Sequence, residues 1–336
     1  MPAALRESTD EELRERLERA LTAVVGAPRR VARLDRRPFA YETSFAIDEL
    51  EAQLADGERL SLLVKDVGAA GLSATATAAK PGFTLDPGRE IAVYRSLLDG
   101  SGVSAPRYFG AAEDPASGRA WLFLERIEGE VLADVGDPTA WQAAAAWAGR
   151  LGEELAIDQG PELGNHLVRR DREWHSRWVR RAIFAASTTG DGALERRLSP
   201  VAATFLDRLE ALPRGFVHGE LYASNVIVGR EGDGTVRIAP VDWELAGTGP
   251  FALDLAALAG GWHGEERRAM CDAFHRSLSP RRSAEISEEA LLDAVNLCEL
   301  SLALQWIGWS QQWLPPEEHR RDWEGEAMRL LEETGL

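Results

Sequence analysis

Glu220, Asn225 and Asp242 are the residues whose types and spacing best fit a chemical site in this sequence. They lie in two neighbouring stretches, FVHGELYASNVIV and APVDWELAGTGPFALDLAAL. Asn225 follows Glu220 on a loop that leads into the strand pattern VIVGR, and Asp242 ends the strand pattern TVRIAPVD. The turn EGDG between the two runs predicts a hairpin. Antiparallel pairing would bring Asn225 and Asp242 to the same end of it. A carboxylate and an amide oxygen side by side suit Mg2+, which takes oxygen ligands and is completed by waters and phosphates. Glu220 would stand beside the metal, placed to orient a hydroxyl nucleophile. Such a site moves phosphoryl groups mainly by positioning and electrostatics.

Several elements must position these groups. Ser8 and Thr9 precede Glu11 and Glu12 at capping-box spacing, and Leu13, Leu17, Leu21 and Val24 recur at helical intervals. This predicts a helix from Asp10 to Val25, ended near Gly26 and Pro28. Short strands fill the stretch from Val31 to Val67, with a hairpin turn at Asp56-Gly57. Residues 68–88, rich in Ala, Gly, Thr and Pro, read as loop or weak helix. DPGREIAVYRSLL predicts a helix over about 86–98, with Asp86 as cap and Pro87 at its first position. RYFGAAED and RAWLFLERI spell two more strands. After Gly129 the texture turns helical, interrupted by the β-rich island around Glu220. The layout is a small antiparallel-sheet lobe, residues 1–127, and a larger, mainly helical lobe, residues 128–336, joined by a hinge near 125–130.

Three motifs in order resemble those of the aminoglycoside phosphotransferase and choline kinase-like family, within the protein-kinase-like superfamily. That family shows an HGD-L-x-x-x-N catalytic loop, then D-[WFL]-[ED], then a D-[LI]-A helix start. This chain reads His218-Gly219-Glu220-Leu221-Tyr222-Ala223-Ser224-Asn225, then Asp242-Trp243-Glu244, then Asp254-Leu255-Ala256. The resemblance implies a bilobal α+β protein kinase-like fold, ATP and Mg2+ as cofactors, and a hydroxyl of a small molecule as acceptor. It implies Glu220 as the catalytic residue and Asn225 and Asp242 as metal ligands. Lys65, in LSLLVKDV, stands where the family has a lysine on the α- and β-phosphates, and Glu90 stands where it has that lysine's glutamate partner. The segment Leu124 to Gly129 looks like the family's strand-to-linker piece, where backbone groups hold the adenine. Glu125 and Ile127 are therefore named for their N–H and C=O. The resemblance covers roughly Lys65 to Ala256.

Two departures stand out. Glu220 replaces the usual Asp. Reference carboxyl pKa values differ by only ~0.4 unit, but one extra methylene moves the carboxylate, and a ~1 Å misplacement can cost ~100-fold in rate. Either the loop is reset to suit Glu or the site is impaired; the retention of Lys65, Glu90, Asn225 and Asp242 favours the first. The expected nucleotide-covering loop, Arg37 to Phe45, has no glycine, and Thr43 and Ser44 would have to supply hydroxyls instead.

Only two of the 38 Lys and Arg residues are lysines, Lys65 and Lys80. A lysine in so arginine-rich a chain points to a need for a compact point charge at Lys65. Lys80, in a loop bounded by Pro and Gly, reads as a surface residue. The resemblance implies His218 as a brace for the loop, and Asp254 reads as a helix cap or loop anchor. Glu244 reads either as structural or as a further contact to metal or substrate. The remaining histidines show no metal-ligand spacing. Trp306, Trp309 and Trp313 share one predicted helix face, as core or as an aromatic platform for a sugar or a cationic amine.

The length of 336 residues, with 45% hydrophobic and 28% charged, suits a globular chain of two domains or lobes. A net charge of −17 argues against a nucleic-acid partner and an anionic membrane surface, and permits a cationic small molecule. Cys271 and Cys298, without CxxC spacing, read as reduced core thiols. The first residues carry no apolar run fit for a signal peptide. No stretch approaches the ~18 consecutive apolar residues of a membrane span. A cytoplasmic protein is expected, with a nucleotide and a small acceptor as partners. That acceptor would be an aminoglycoside, aminosugar or choline-like cation. The alternative is a nucleotide-binding pseudokinase with a regulatory or scaffold role, motivated by Glu220 and the glycine-free loop.

Overall fold

Asp10–Val25 forms the first helix, as the sequence predicts. Thr9 and Glu12 close a reciprocal capping box at its start, and Gly26 ends it in the left-handed conformation. The computed structural model describes residues 8–39, 44–155, 163–189, 192–230, 232, 234–309 and 321–336. Leu13, Leu17 and Leu21 of the first helix pack on one face of a five-stranded sheet, against Leu50, Leu62, Trp121 and Phe123.

That sheet is built from β1 (Val31–Pro38), β2 (Ile47–Leu54), β3 (Arg59–Asp66), β4 (Tyr108–Asp114) and β5 (Arg119–Glu125). Its order is β1-β2-β3-β5-β4, and every pairing is antiparallel. The alternation of IDELEAQL explains β2: Leu50, Ala52 and Leu54 are buried, while the intervening residues are not. Buried Asp48 breaks the apolar run but is paired with Arg36 at 2.6 Å. The other face of the sheet, through Leu122 and Leu124, joins the apolar core of the helical region in one continuous cluster.

Glu90 lies on the short helix Arg89–Val93, which runs on into a wider π-type turn, Tyr94–Leu98. The helix starts later than its sequence predicts. Asp86 does not cap it; the carboxylate accepts the Gly88 N–H and lies 3.0 Å from His166 Nδ1, which holds residues 86–88 as a turn. The segment between β3 and this helix folds into short pieces, including the helix Ala74–Ala79 capped by Ser73.

The remaining strands are β6 (Gly129–Val131), β7 (Val168–Arg169), β8 (Arg214–Val217), β9 (Val226–Arg230), β10 (Val236–Pro240) and β11 (Gly247–Pro250). They form two small sheets of order β10-β9-β6 and β7-β11-β8. Strands β6, β7 and β11 are too short to show an alternating pattern, so the sequence gives no sign of them. The hairpin β9–β10 is the predicted one. Around it stand the helices, centred on Glu288–Gly308. By length and composition that helix is apolar enough to cross a membrane. Here it is a core helix, lying against Arg172–Thr189 and Trp323–Glu333, with the run from Leu297 to Gln305 buried on every face. Cys271 and Cys298 are free, buried thiols.

Candidate active site

The β9–β10 ladder ends at the pair Val226 and Pro240, so Asn225 and Val241 flank the same end of the hairpin. Val241 N–H donates to the Asn225 carbonyl at 2.9 Å, which sets Asp242 beside the loop of Glu220. The Asn225 side-chain amide donates to the Glu220 carbonyl at 3.0 Å. Asp242 has φ of +68°, and among the described residues it alone, glycines aside, has positive φ. That conformation costs about 1–3 kcal/mol and persists only where neighbours over-determine it. Both flanking amides are pinned: Val241 to Asn225, and Trp243 to Glu90 Oε1 at 3.3 Å.

Lys65 stands on β3 between Ile47 of β2 and Leu122 of β5. Its Nζ lies 2.7 Å from Glu90 Oε2 and 2.5 Å from Asp242 Oδ1. Burial alone would lower the ammonium's pKa, but the carboxylates of Asp242 and Glu90 outweigh it and the pKa is raised. Burial pushes the Glu90 carboxyl up to about 7 against the pull of Lys65.

The turn His218–Gly219–Glu220 is held from behind. Asp254, at the start of the helix Leu253–Ala259, accepts the His218 N–H at 2.7 Å and the Gly219 N–H at 2.8 Å. It is therefore a loop anchor. His218 is fully buried; its Nε2 lies 3.0 Å from the Val241 carbonyl, and its Nδ1 accepts the Glu220 N–H at 3.3 Å. Burial lowers its pKa to about 4, so the imidazole is neutral, with Nε2 as donor. It braces the loop, as expected. Gly219 has φ of +92°, and a β-carbon there would overlap the Arg170 guanidinium. Burial raises Glu220 to about 8; Glu244 and Asp242 add to the rise, and Lys80 and Arg170 oppose it.

Lys80 is not the surface residue its loop context implies. Its side chain is 10% exposed and ion-paired with Glu244. Glu244 therefore faces the site. Arg89 and Arg170 are further residues the sequence reading missed. Arg89 is buried, donating to the carbonyls of His166, Thr84 and Glu244. Arg170 is buried behind Gly219 and donates to the Leu245 carbonyl at 2.5 Å. The scarcity of lysine was a signal for Lys80; for two arginines among 36 there was none. A cavity of about 280 Å³ opens beside Lys80, Glu90 and Glu244, walled by Phe45, Leu72 and Trp309.

At the linker, Glu125 departs from expectation in one respect. Its backbone N–H is committed to the Arg107 carbonyl at 2.9 Å, so that N–H is not open to a purine and only its carbonyl is left for that role. Its carboxylate is held by Arg237 at 2.7 and 2.8 Å. Ile127 lies between β5 and β6, partly buried. Trp306 and Trp309 do not share one helix: Glu288–Gly308 carries Trp306 and ends before Trp309. Trp306 stacks on Trp323 and donates to the Tyr222 hydroxyl of the catalytic loop at 2.8 Å. Trp309 stacks on Trp178. Thr43, Trp313 and His319 lie outside the described residues.

Among the described residues no group of three His, Cys, Asp or Glu forms a metal cage. The donors at the hairpin end, a carboxylate and a neutral amide, are hard oxygens and few. That fits Mg2+, which keeps waters and phosphates in its shell, and does not fit an all-protein Zn2+ site.

The fold resembles several solved structures. An ethanolamine kinase from Plasmodium vivax aligns with a TM-score of 0.57 at 14% identity, over 90% of this chain and 82% of that one. The GDP complex of aminoglycoside 2'-phosphotransferase-IIIa gives 0.54 at 13% identity, over 89% and 92%. A choline kinase from Cryptosporidium parvum gives 0.53 at 12% identity, over 90% and 88%. Among curated proteins none matches this sequence. The family model described as the phosphotransferase enzyme family, APH, matches residues 76–286. That stretch takes in Glu90, the loop of Glu220 and Asn225, the hairpin end at Asp242 and the anchor Asp254, and this chain belongs to the APH phosphotransferase enzyme family.

Proposed function

We propose that this phosphotransferase moves the γ-phosphoryl of ATP, with Mg2+, to a hydroxyl of a small cationic molecule. The observation that carries the reading is the meeting of Lys65 with both Glu90 and Asp242, which joins the sheet, its helix and the hairpin at one point. Lys65, held by Glu90, binds the α- and β-phosphates. The Glu125 carbonyl and the backbone of Ile127 hold the base. Asp242 and Asn225 hold Mg2+, which when bound supplies charge neutralisation at the phosphates. Glu220 orients the acceptor hydroxyl and takes its proton as the new bond forms. Residues 1–127 would carry the nucleotide and residues 128–336 the acceptor.

One feature supports a cationic acceptor. Trp306 and Trp323 stack beside Tyr222, an aromatic surface suited to an amine or a sugar face. The names of the similar structures, an ethanolamine kinase, a choline kinase and an aminoglycoside phosphotransferase, point the same way. The gathering of Lys65, Glu90 and Asp242 supports transfer of phosphate over a module that only binds nucleotide.

The test has two stages. ATP with Mg2+ should raise the thermal midpoint in proportion to ligand concentration over Kd. A screen of aminosugars, aminoglycosides and amino alcohols should then give acceptor-dependent ADP release. Binding without release over the whole screen would contradict the proposal.

A further inference from the structure

The two lysines of this chain converge on one place. Lys65 reaches Asp242, and Lys80 reaches Glu244 two residues further on. Both ammonium groups stand over the ring of Phe45, at 5.1 and 5.6 Å from its centroid. Phe45 ends the glycine-free covering loop, whose sequence offers no close backbone approach to phosphates. The segment carrying Lys80 is tied to that loop. Ser73 N–H donates to the Ser44 carbonyl, and Phe45 pairs with Leu72 as an isolated antiparallel bridge. Lys80 follows as the cap residue of the helix Ala74–Ala79, its N–H bonded to the Ala76 carbonyl at 2.8 Å and its backbone extended ahead of Pro81.

From this geometry we infer that Lys80 is a second phosphate-binding residue, contacting the γ-phosphoryl group and replacing the missing glycine cradle. The inference rests on the phosphotransferase reading above. Lys65 is already tied to Glu90 from behind, which suits it to the inner phosphates. Lys80 approaches from the covering-loop side, in the field of Glu244, Asp242 and Glu220. Glu244 holds the ammonium at the site until a more highly charged anion takes its place. A lysine suits this exchange, because its compact charge on a flexible stem can move from carboxylate to phosphate, where an arginine fork would stay locked. In the transfer, the acceptor oxygen bonds to the γ-phosphorus as the bond from phosphorus to the β,γ-bridging oxygen breaks. The hydroxyl proton passes to Glu220. Lys80 stays protonated throughout and supplies only charge to the moving group.

Affinities for a non-hydrolysable ATP analogue and for ADP, each with Mg2+, test this without knowledge of the acceptor. Lys80→Met should weaken the ATP analogue 10- to 100-fold and change ADP less than 3-fold; Lys65→Met should weaken both. Lys80→Met leaves Glu244 without its cation and could fold poorly, so the double variant Lys80→Met/Glu244→Gln carries the same measurement. Continued weak binding of the ATP analogue by the double variant supports the contact. Wild-type affinity in the double variant would mean that Lys80 serves only to neutralise Glu244, and would overturn the inference. An unchanged ATP-to-ADP ratio in Lys80→Met would overturn it too, with the phosphotransferase reading intact. Failure of the wild-type chain to bind either nucleotide would overturn both.

Discussion

Lys65 Nζ lies 2.5 Å from Asp242 Oδ1, although 177 positions separate the two residues in the chain. The same nitrogen holds Glu90 at 2.7 Å, so one buried ammonium keeps two carboxylates compatible. Breaking a buried pair by removing one partner typically costs about 3–5 kcal/mol, because the other charge is left without compensation. Lys65→Met should therefore destabilise the chain by about that amount in urea titrations. The sign of its pH dependence follows from Glu90, whose folded pKa already lies above the unfolded value. Without Lys65 it rises further, the folded state holds the proton longer than the unfolded one, and stability falls as pH rises. The deficit should be larger at pH 8 than at pH 6; equal deficits would contradict the pairing.

Asp242, the proposed Mg2+ ligand, has a left-handed backbone. Asp242→Ala keeps the hairpin, whose register is set by Val226 to Pro240. It also leaves Lys65 its bond to Glu90. The fold should survive, as far-ultraviolet circular dichroism will show. Turnover should drop by at least ~10²–10³-fold, the loss that follows when a group stabilising developing charge is removed. A variant that still turns over near the wild-type rate would refute the assignment of Asp242 to Mg2+.

Much of this site was legible in the spelling of the chain. Lys65, Glu90, Asn225 and Asp242 come together as expected because each sits on an element with a strong local signature: an alternating strand, a helix, a hairpin. The misses share a physical cause. Lys80 sits in a segment whose composition says loop, and local composition carries no information about what a loop lies against. Its partner Glu244 is 164 positions away. Arg170 directly follows a two-residue strand, Val168–Arg169, that pairs in parallel with β11, a long-range contact with no periodicity to announce it. Glu125 was placed correctly on the linker strand. The use of its N–H by Arg107 depends on the β4–β5 register, which shifts between Tyr108 and Gly110. Trp309 falls off the expected helix face because the helix Glu288–Gly308 ends just before it.

Glu220 carries the longest reach of any departure from the family pattern. Burial, with Glu244 and Asp242 beside it, puts its carboxyl at about 8. A proton acceptor works only when ionised, so kcat/KM should fall with unit slope as pH drops below about 8 and level off above it. Glu220→Gln should abolish that limb together with ~10²–10⁴-fold of the rate. Glu220→Asp shortens the side chain by one methylene in a loop built around Glu, and a ~100-fold loss is expected. A gain in rate for Glu220→Asp would show instead that the natural residue impairs the site.

Asp254 holds that loop without touching the reacting groups, so its loss should separate stability from chemistry. Its two oxygens accept the amides of His218 and Gly219. Asp254→Asn keeps the shape but provides one acceptor oxygen in place of two, leaving a buried N–H unsatisfied at a cost of about 1–3 kcal/mol. The freed loop should misplace Glu220 and lower kcat by ~100-fold, with nucleotide affinity little changed. The stability gap should also depend on pH. Burial raises Asp254 to about 6, above its unfolded value of about 3.9, while its two amide donors oppose the rise. The folded wild-type chain then takes up its proton before the unfolded chain does, and gains stability relative to the variant as pH falls from 7 toward 4.5. Urea midpoints of both proteins across that range should diverge; parallel lines would mean that Asp254 is not the buried carboxylate behind the catalytic loop.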